Sequence, residues 1–135
     1  MAKKKVMVVD DAAMMRIVVQ NILRGHPDFF VAGYAENGKT ALAKLPQIQP
    51  DLILLDIEMP EMNGLEFLRH ARLKSKAKIV ILSSVAGSGS RIAVQALSLG
   101  ADALVTKPSG AVSYDLAEKR GSELVQVIRQ QLGLA

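Results

Sequence analysis

The sequence contains no cysteine and no tryptophan, and only two tyrosines and three phenylalanines. Without cysteine the chain cannot form a disulfide framework, a thiolate metal site or a thiol nucleophile, and it suits a reducing compartment. We therefore expect a cytoplasmic protein. The few aromatic residues are not interleaved with basic ones, as they are in proteins that stack single-stranded bases.

Long apolar runs are also missing. None approaches the roughly 18 to 20 residues of a membrane span, and the cleanest stretches have the length of a β-strand. The N-terminal Met-Ala-Lys-Lys-Lys is similar to the basic region of a signal peptide, but the apolar stretch Val6–Val9 is too short and ends at Asp10 and Asp11. We predict no export signal and no membrane insertion.

The formal net charge of +4 does not indicate a nucleic-acid surface, because the cations are dispersed and their only run, Lys3–Lys5, lies at a terminus. We predict no direct nucleic-acid partner. The two histidines, His26 and His70, are far apart in the sequence, so a surface role is favoured over a metal or catalytic one.

Half of the 135 residues are apolar, which is enough for one domain with a single substantial core. Five short apolar runs, without polar alternation, are typical of strands that are covered on both faces. Segments with helical spacing lie between them, as in Met14, Ile17, Val18 and Ile22. The pattern predicts a doubly wound α/β domain with a mostly parallel sheet. The runs are Val6–Val9, Phe29–Tyr34, Leu52–Leu55, Ile79–Leu82 and Ala103–Val105.

Glycine and proline predict where the helices end. The positions are Gly25 and Pro27 for the first helix, Pro46 and Pro50 for the second, and Gly100 for the fourth. Residues 108–121 form a mixed polar stretch, for which we predict a loop. The last helix is then expected from about Ser122 to Leu132, within a single domain that spans residues 1–135.

Polar residues follow the apolar runs, at the sheet edge where open α/β folds bind ligands. They are Asp10-Asp11, Asp56, Ser83-Ser84 and Thr106-Lys107-Pro108. Carboxylates gathered together require a cation or raised pKa values, and Mg2+ prefers such oxygen ligands together with a substrate phosphate. Lys107 could pair with one phosphate oxygen, and Ser83 could donate a hydrogen bond to another. The pattern predicts a phosphoryl site that uses Mg2+.

These residues, in this order, resemble the receiver domain of two-component response regulators over roughly residues 4–132. The motifs are Val-Val-Asp10-Asp11, Leu-Leu-Asp56-Ile-Glu-Met-Pro60-Glu-Met-Asn-Gly64, Ile-Leu-Ser83-Ser84 and Val-Thr-Lys107-Pro108. The resemblance implies a flavodoxin-like (βα)5 fold with five parallel strands in the order 2-1-3-4-5, an order for which a chemotaxis receiver is a known example. Strands 1 and 3 would then be neighbours.

The resemblance also implies a role for each site residue. Asp56 would be the phosphoacceptor, taking a phosphoryl group from a sensor histidine kinase or a phosphotransfer protein. Lys107 would hold the phosphate, and Ser83 would be the switch hydroxyl. The implied Mg2+ ligands are Asp56, Asp11 directly, Asp10 through water, and the backbone carbonyl of Glu58. Pro60 and Gly64 are expected to shape the loop after strand 3, and Lys107-Pro108 is the place of a cis bond in this family.

The implied function is a signalling switch that catalyses only its own phosphorylation and dephosphorylation. Its output would leave through the face formed by helix 4, strand 5 and helix 5, toward an output domain or a target protein. Leu104 stands where the family often has an aromatic residue, so we expect the loop Gly87–Ser90 to transmit the change instead of a ring flip.

Several details favour the chemotaxis methylesterase subgroup of receivers. They are Glu58, the doubled Ser83-Ser84, and Lys-Pro-Ser-Gly followed by Asp115-Leu116. No Gly-x-Ser-x-Gly elbow occurs in the chain. The alternatives are therefore a stand-alone chemotaxis regulator and a receiver from which an esterase domain has been removed.

Two other functions compete with this interpretation. The stretch from Gly33 to Thr40 matches the Walker A pattern of a P-loop nucleotide-binding protein. Against it, Glu36 would place a negative charge in the phosphate loop, and the remaining polar strand ends would have no role. A flavodoxin-like binder that is not phosphorylated is the third possibility, although an acidic cluster is a poor site for a flavin phosphate.

Overall fold

The computed structural model describes residues 3–57, 64–83, 91–107 and 114–134. Strands and helices alternate along these residues. The strands are Lys4–Val9 (β1), Phe29–Ala35 (β2), Leu52–Asp56 (β3), Lys78–Ser83 (β4) and Ala103–Thr106 (β5). The helices are Ala13–Leu23 (α1), Gly38–Ile48 (α2), Gly64–Lys74 (α3), Arg91–Ser98 (α4) and Tyr114–Gln131 (α5). No helix within these ranges has both the length and the hydropathy that crossing a bilayer requires.

The five strands form one parallel sheet in the order β2-β1-β3-β4-β5, which confirms the predicted fold. β1 lies between β2 and β3, and the chain reverses its direction of progress across the sheet at this strand. Val9, at the end of β1, is in register with Ala35 on one side and with Leu55 on the other. Reversal points of this kind open a crevice at the carboxyl edge of the sheet.

Alternate residues of the central strands point to opposite faces of the sheet, and both faces are covered. Met7 and Val9 of β1 pack on the face covered by α2, α3 and α4, while Val6 and Val8 pack on the face covered by α1 and α5. All four side chains are fully buried. Because neither face of the strand meets water, the apolar runs show no polar alternation.

The start of α5 differs from the prediction. The helix begins at Tyr114, so a loop extending to Gly121 is wrong from residue 114 onward. Glu118 and Lys119 are exposed, which explains why this part of the helix has no apolar stripe in the sequence. Gly121 is accommodated where α5 packs on α1, since an added Cβ would lie at ordinary contact distance, 3.6 Å, from Ile22.

Pro46 was also misassigned, because it lies inside α2 and does not end the helix. A proline removes the hydrogen bond to the carbonyl four residues earlier and crowds that carbonyl, but the residues after it can still complete the last turn of the helix. The helix ends at Ile48, and the residue that follows it, Gln49, has a positive φ of 48°, while its N–H donates to the Leu45 carbonyl at 2.9 Å. Gly100, with φ of 111°, follows α4 as predicted.

Two aspartates fasten the amino edge of the sheet. Asp51 precedes β3 and accepts a hydrogen bond from the Lys5 backbone N–H at 2.7 Å. Asp102 precedes β5 and accepts one from the Ile79 N–H at 2.8 Å. Each carboxylate binds a backbone N–H at the start of a neighbouring strand, so these aspartates stabilise the sheet.

Candidate functional site

Three carboxylates meet at the carboxyl edge of β1 and β3. Asp10 and Asp11 follow β1, and Asp56 is the last residue of β3. One carboxylate oxygen from each lies within 4.8 Å of the other two. Asp10 and Asp56 are buried, whereas Asp11 is exposed. The structure thus brings together the three acidic side chains that the sequence pattern selected.

Asp10 is held from both its backbone and its side chain. Its N–H donates to the Ala35 carbonyl at 3.0 Å, and its Oδ1 accepts from the Ala12 N–H at 2.9 Å. Its buried Oδ2 has no hydrogen-bond partner within the described part of the chain. Burial raises the pKa of Asp10, and the Asp11 charge adds to this, while the Ala12 N–H and the Lys107 ammonium oppose it.

Lys107 brings a positive charge to the buried Asp56 carboxylate. Its Nζ lies 3.1 Å from Asp56 Oδ1, and its side chain is only 15% exposed. The residue directly follows β5, and its backbone N–H donates to the Ser83 carbonyl at 2.8 Å. The end of β5 therefore fixes where this long side chain enters the site.

Ser83 ends β4, the strand next to β3. The preceding residue, Leu82, is in register with Asp56, so Ser83 lies one residue further toward the carboxyl edge. It is buried and faces Thr106 of β5 in the register. A hydroxyl, an ammonium and three carboxylates therefore occupy the ends of four strands at one edge of the sheet.

Gly64 allows the first turn of α3 to approach the end of β3. Its N–H donates to the Ile57 carbonyl at 3.3 Å. A Cβ at this position would lie 2.6 Å from the Ile57 Cα and 3.0 Å from the Asp56 carbonyl oxygen. The glycine is required by this close approach of two backbones, as expected of a residue that shapes the site without binding a ligand.

Some predicted residues lie outside the described residues. They are Glu58 with its carbonyl, Pro60, Ser84, the loop Gly87–Ser90 and Pro108 with the bond that precedes it.

Arg16 is a site residue that the sequence analysis did not identify. It lies in α1, and its Nη1 donates to the carbonyl of Asp10 at 2.8 Å. The contact reaches a backbone oxygen, so no complementary residue type marks it in the sequence. The only available signal was its position one turn into the helix that follows the acidic pair.

The three carboxylates fit a hard divalent cation. Asp10 and Asp56 oxygens within 4.8 Å of each other would repel by about 3.5 kcal/mol at an effective dielectric of about 20. Lys107 offsets part of this at Asp56, but the buried Oδ2 of Asp10 still has no donor among the described residues. Oxygen donors with excess negative charge suit Mg2+.

The Walker A interpretation of residues 33–40 is wrong. Gly33 belongs to β2, so no phosphate loop separates the strand from α2. At the start of α2 the Thr40 N–H donates to Asn37 Oδ1 at 2.7 Å. An N-cap therefore satisfies an amide that a P-loop would direct toward phosphate.

The sequence profile of the response regulator receiver domain matches residues 6–119. The chain belongs to this family. Among solved structures, this receiver domain resembles the crystal structure of the response regulator domain of Thermotoga maritima CheB, with a TM-score of 0.87, 36% identity and coverage of 99% of both chains. It also resembles a chain in the crystal structure of the P1 domain of CheA3 in complex with CheY6 from R. sphaeroides. That match has a TM-score of 0.83 and 51% identity, and covers 98% of this chain and 99% of that one.

Curated relatives include a protein-glutamate methylesterase/protein-glutamine glutaminase of Treponema pallidum. It is 49% identical over 112 residues, which cover 82% of this receiver domain and 28% of the relative. The matching protein of Thermotoga maritima is 38% identical over 130 residues, which cover 96% of this chain and 38% of the relative. The receiver domain thus spans well under half of these longer proteins.

Proposed function

We propose that this receiver domain is a phosphorylation-activated switch of chemotaxis signalling in which Asp56 accepts the phosphoryl group. The observation that carries the proposal is the buried Asp56 carboxylate, with the Lys107 ammonium 3.1 Å away and two further carboxylates within 4.8 Å. A strand that is buried on both faces fixes the nucleophile, and fixed geometry supplies much of the catalysis in phosphoryl transfer.

The reaction is a displacement at phosphorus. An oxygen of Asp56 forms the new bond to phosphorus as the bond to the donor breaks, and the bonding pair leaves with the donor, such as an imidazole nitrogen. Lys107 then pairs with an oxygen of the transferred group, and the Ser83 hydroxyl donates to another. The domain would catalyse only its own phosphorylation and the later hydrolysis.

Mg2+ is the cofactor that we propose for this site. Asp10, Asp11 and Asp56 would hold it, together with the backbone carbonyl of Glu58. When bound, the ion neutralises negative charge that gathers on the acids and on the phosphoryl oxygens. Asp10, which has a raised pKa and a buried oxygen without a donor among the described residues, would gain a positive charge in addition to that of Lys107.

The phosphodonor is proposed to dock on the first two turns of α1. Met14 and Ile17 are 68% and 52% exposed and lie on one face of the helix, which begins two residues after Asp11. Exposed apolar groups beside a reactive centre indicate a contact surface. A similar chain was crystallised with a CheA3 P1 domain, so the partner that we propose is the phosphotransfer domain of a histidine kinase.

The surface around α1 can be tested separately from the chemistry. Ile17→Lys should slow phosphorylation by the kinase P1 domain while leaving phosphorylation by acetyl phosphate unchanged, because only the first reaction needs docking. Leu73→Lys is the matched control, since Leu73 is 87% exposed on α3. Equal slowing by both donors would place the defect in the site and not in docking.

The output is proposed to leave through the face of α4, β5 and α5. Val94 and Leu97 of α4 are 54% and 45% exposed, one turn apart, and could bind an output domain or a target protein. Hydrogen exchange with and without beryllofluoride, a phosphoryl mimic, should show protection rising most within residues 84–97. Ser83→Ala should reduce the rise, and a response confined to another surface would contradict this route.

The acceptor itself is tested by intact mass. After incubation with Mg2+ and acetyl phosphate, the wild type should gain one phosphoryl group, and Asp56→Asn should gain none. Asp51→Asn is the control, because Asp51 caps a strand at the opposite edge of the sheet. A label that persists in Asp56→Asn and maps to another residue would refute the assignment.

A further inference from the structure

We propose that Arg16 is a positioning residue for the acidic pair Asp10-Asp11, an inference that rests on the Mg2+-dependent function proposed above. The Arg16 Nη1 donates to the Asp10 carbonyl at 2.8 Å. This carbonyl belongs to the peptide group that joins the two aspartates. Because a peptide group is planar, holding its oxygen fixes the direction in which the chain enters Asp11.

The two aspartates differ in how firmly they are held. Asp10 is held by two hydrogen bonds of its own: its N–H donates to the Ala35 carbonyl, and its Oδ1 accepts from the Ala12 N–H. Asp11 is exposed, and in the described structure its side chain has no hydrogen bond or ion pair. The direction of the Asp11 carboxylate therefore depends on the backbone, and Arg16 is the side chain that holds the peptide leading to it.

A positioning role and a purely electrostatic role predict opposite signs. If Arg16 acted only through its charge, it would repel Mg2+, and removing it would tighten Mg2+ binding. If it holds the Asp10-Asp11 peptide, removing it lets the Asp11 carboxylate move away, and Mg2+ binding becomes weaker. Groups that orient metal ligands typically change metal affinity by about 10- to 100-fold when they are mutated.

Lys44 provides a matched control on the neighbouring helix. Its Nζ donates to a backbone carbonyl, that of Tyr34, at 2.6 Å, and it lines a small cavity of about 140 Å³ together with Arg16. Among the described residues it has no hydrogen bond or ion pair with Asp10 or Asp11. Lys44→Gln thus removes a nearby positive charge and a side-chain-to-carbonyl bond without releasing the Asp10-Asp11 peptide.

The experiment is titration calorimetry of Mg2+ on the wild type, Arg16→Gln, Arg16→Lys and Lys44→Gln. We expect Arg16→Gln to raise the Mg2+ dissociation constant about tenfold. Arg16→Lys should raise it several-fold, since an ammonium does not reproduce the planar guanidinium. Lys44→Gln should leave it unchanged or lower it slightly.

Equal or tighter Mg2+ binding by Arg16→Gln would overturn the proposal. Circular dichroism checks that the variant is folded; if it is not, Arg16→Lys decides, because a charge effect predicts no change and positioning predicts weaker binding. The proposed function fails in a different way: the wild type would then neither bind Mg2+ nor gain a phosphoryl group. A wild type that does both, beside an Arg16→Gln with wild-type affinity, would refute only the role of Arg16.

Discussion

Asp10→Asn should stabilise the metal-free receiver domain. The substitution keeps the oxygen that accepts the Ala12 N–H and replaces the buried Oδ2, which lacks a donor within the described chain, by an amide. Oxygens of Asp10 and Asp56 lie within 4.8 Å, a repulsion of about 3.5 kcal/mol at an effective dielectric of about 20. The opposing Lys107 charge reduces this, and we expect a net gain of about 1 to 2 kcal/mol.

The pH dependence of stability provides a second, independent test of this prediction. The pKa of Asp10 is raised in the folded protein, chiefly by burial, so the folded state holds the proton more tightly than the unfolded state does. The wild type therefore loses this part of its stability as the pH rises above the ordinary aspartate pKa, about 3.9, and through the raised value. The advantage of Asp10→Asn should be small near pH 4 and should grow as the pH rises through the raised pKa.

The measurement is thermal unfolding in chelator and in Mg2+. In chelator at neutral pH, a gain of 1 to 2 kcal/mol should raise the Tm by roughly 4 to 8 °C for a domain of this size. Mg2+ at about ten times its Kd should then stabilise the wild type by about 1.4 kcal/mol and the variant much less. The difference in Tm between the two proteins should therefore become smaller or change sign. Asp51→Asn is the control and should only destabilise, because its carboxylate caps a strand. A metal-free Asp10→Asn that melts at or below the wild-type Tm would refute the reasoning.

Three further changes test other parts of the site. Gly64→Ala should destabilise the domain by up to about 3 kcal/mol in denaturant unfolding, because its Cβ would overlap the backbone at the end of β3; Gly25→Ala, with nothing within 4 Å, should be nearly neutral. Asp11→Ala should abolish most of the Mg2+-dependent rise in Tm, and an undiminished rise would exclude Asp11 as a ligand. Lys107→Ala should lower the metal-free stability by about 3 kcal/mol, because it leaves the Asp56 charge buried without its 3.1 Å partner; unchanged stability would mean that this pair is not formed.

The sequence predicts the sheet and the acidic edge well, for a common physical reason. Strands such as β3 are buried on both faces and so appear as uninterrupted apolar runs that end abruptly in a polar residue. Asp56 could be placed at such an end from the pattern alone. The prediction that β1 and β3 are neighbours in the sheet depended on the family resemblance, since periodicity does not give strand order.

The errors arise where the local signal is weak or carries more than one meaning. Glu118 and Lys119 of α5 are exposed, so this part of the helix shows no continuous apolar stripe in the sequence. Pro46 predicts a helix end, yet α2 continues for two more residues. The contact of Arg16 with the site was missed because its hydrogen-bond partner is a backbone carbonyl, which every residue has.

The two apolar surfaces proposed for partners lie on opposite faces of the sheet. Met15 and Val19 of α1 pack in the core on one face, whereas Ala96 of α4 packs in the core on the other. A donor bound at α1 therefore leaves α4 accessible to a target. Backbone pairing links Asp56 to the ends of β4 and β5. Asp56 is in register with Leu82 of β4, and the Lys107 N–H donates to the carbonyl of Ser83, the last residue of β4. If Asp56 is phosphorylated as proposed, a response of Lys107 and Ser83 would act on the strand ends that precede α4 and α5. The α1 surface proposed for the donor follows β1 and covers the other face of the sheet.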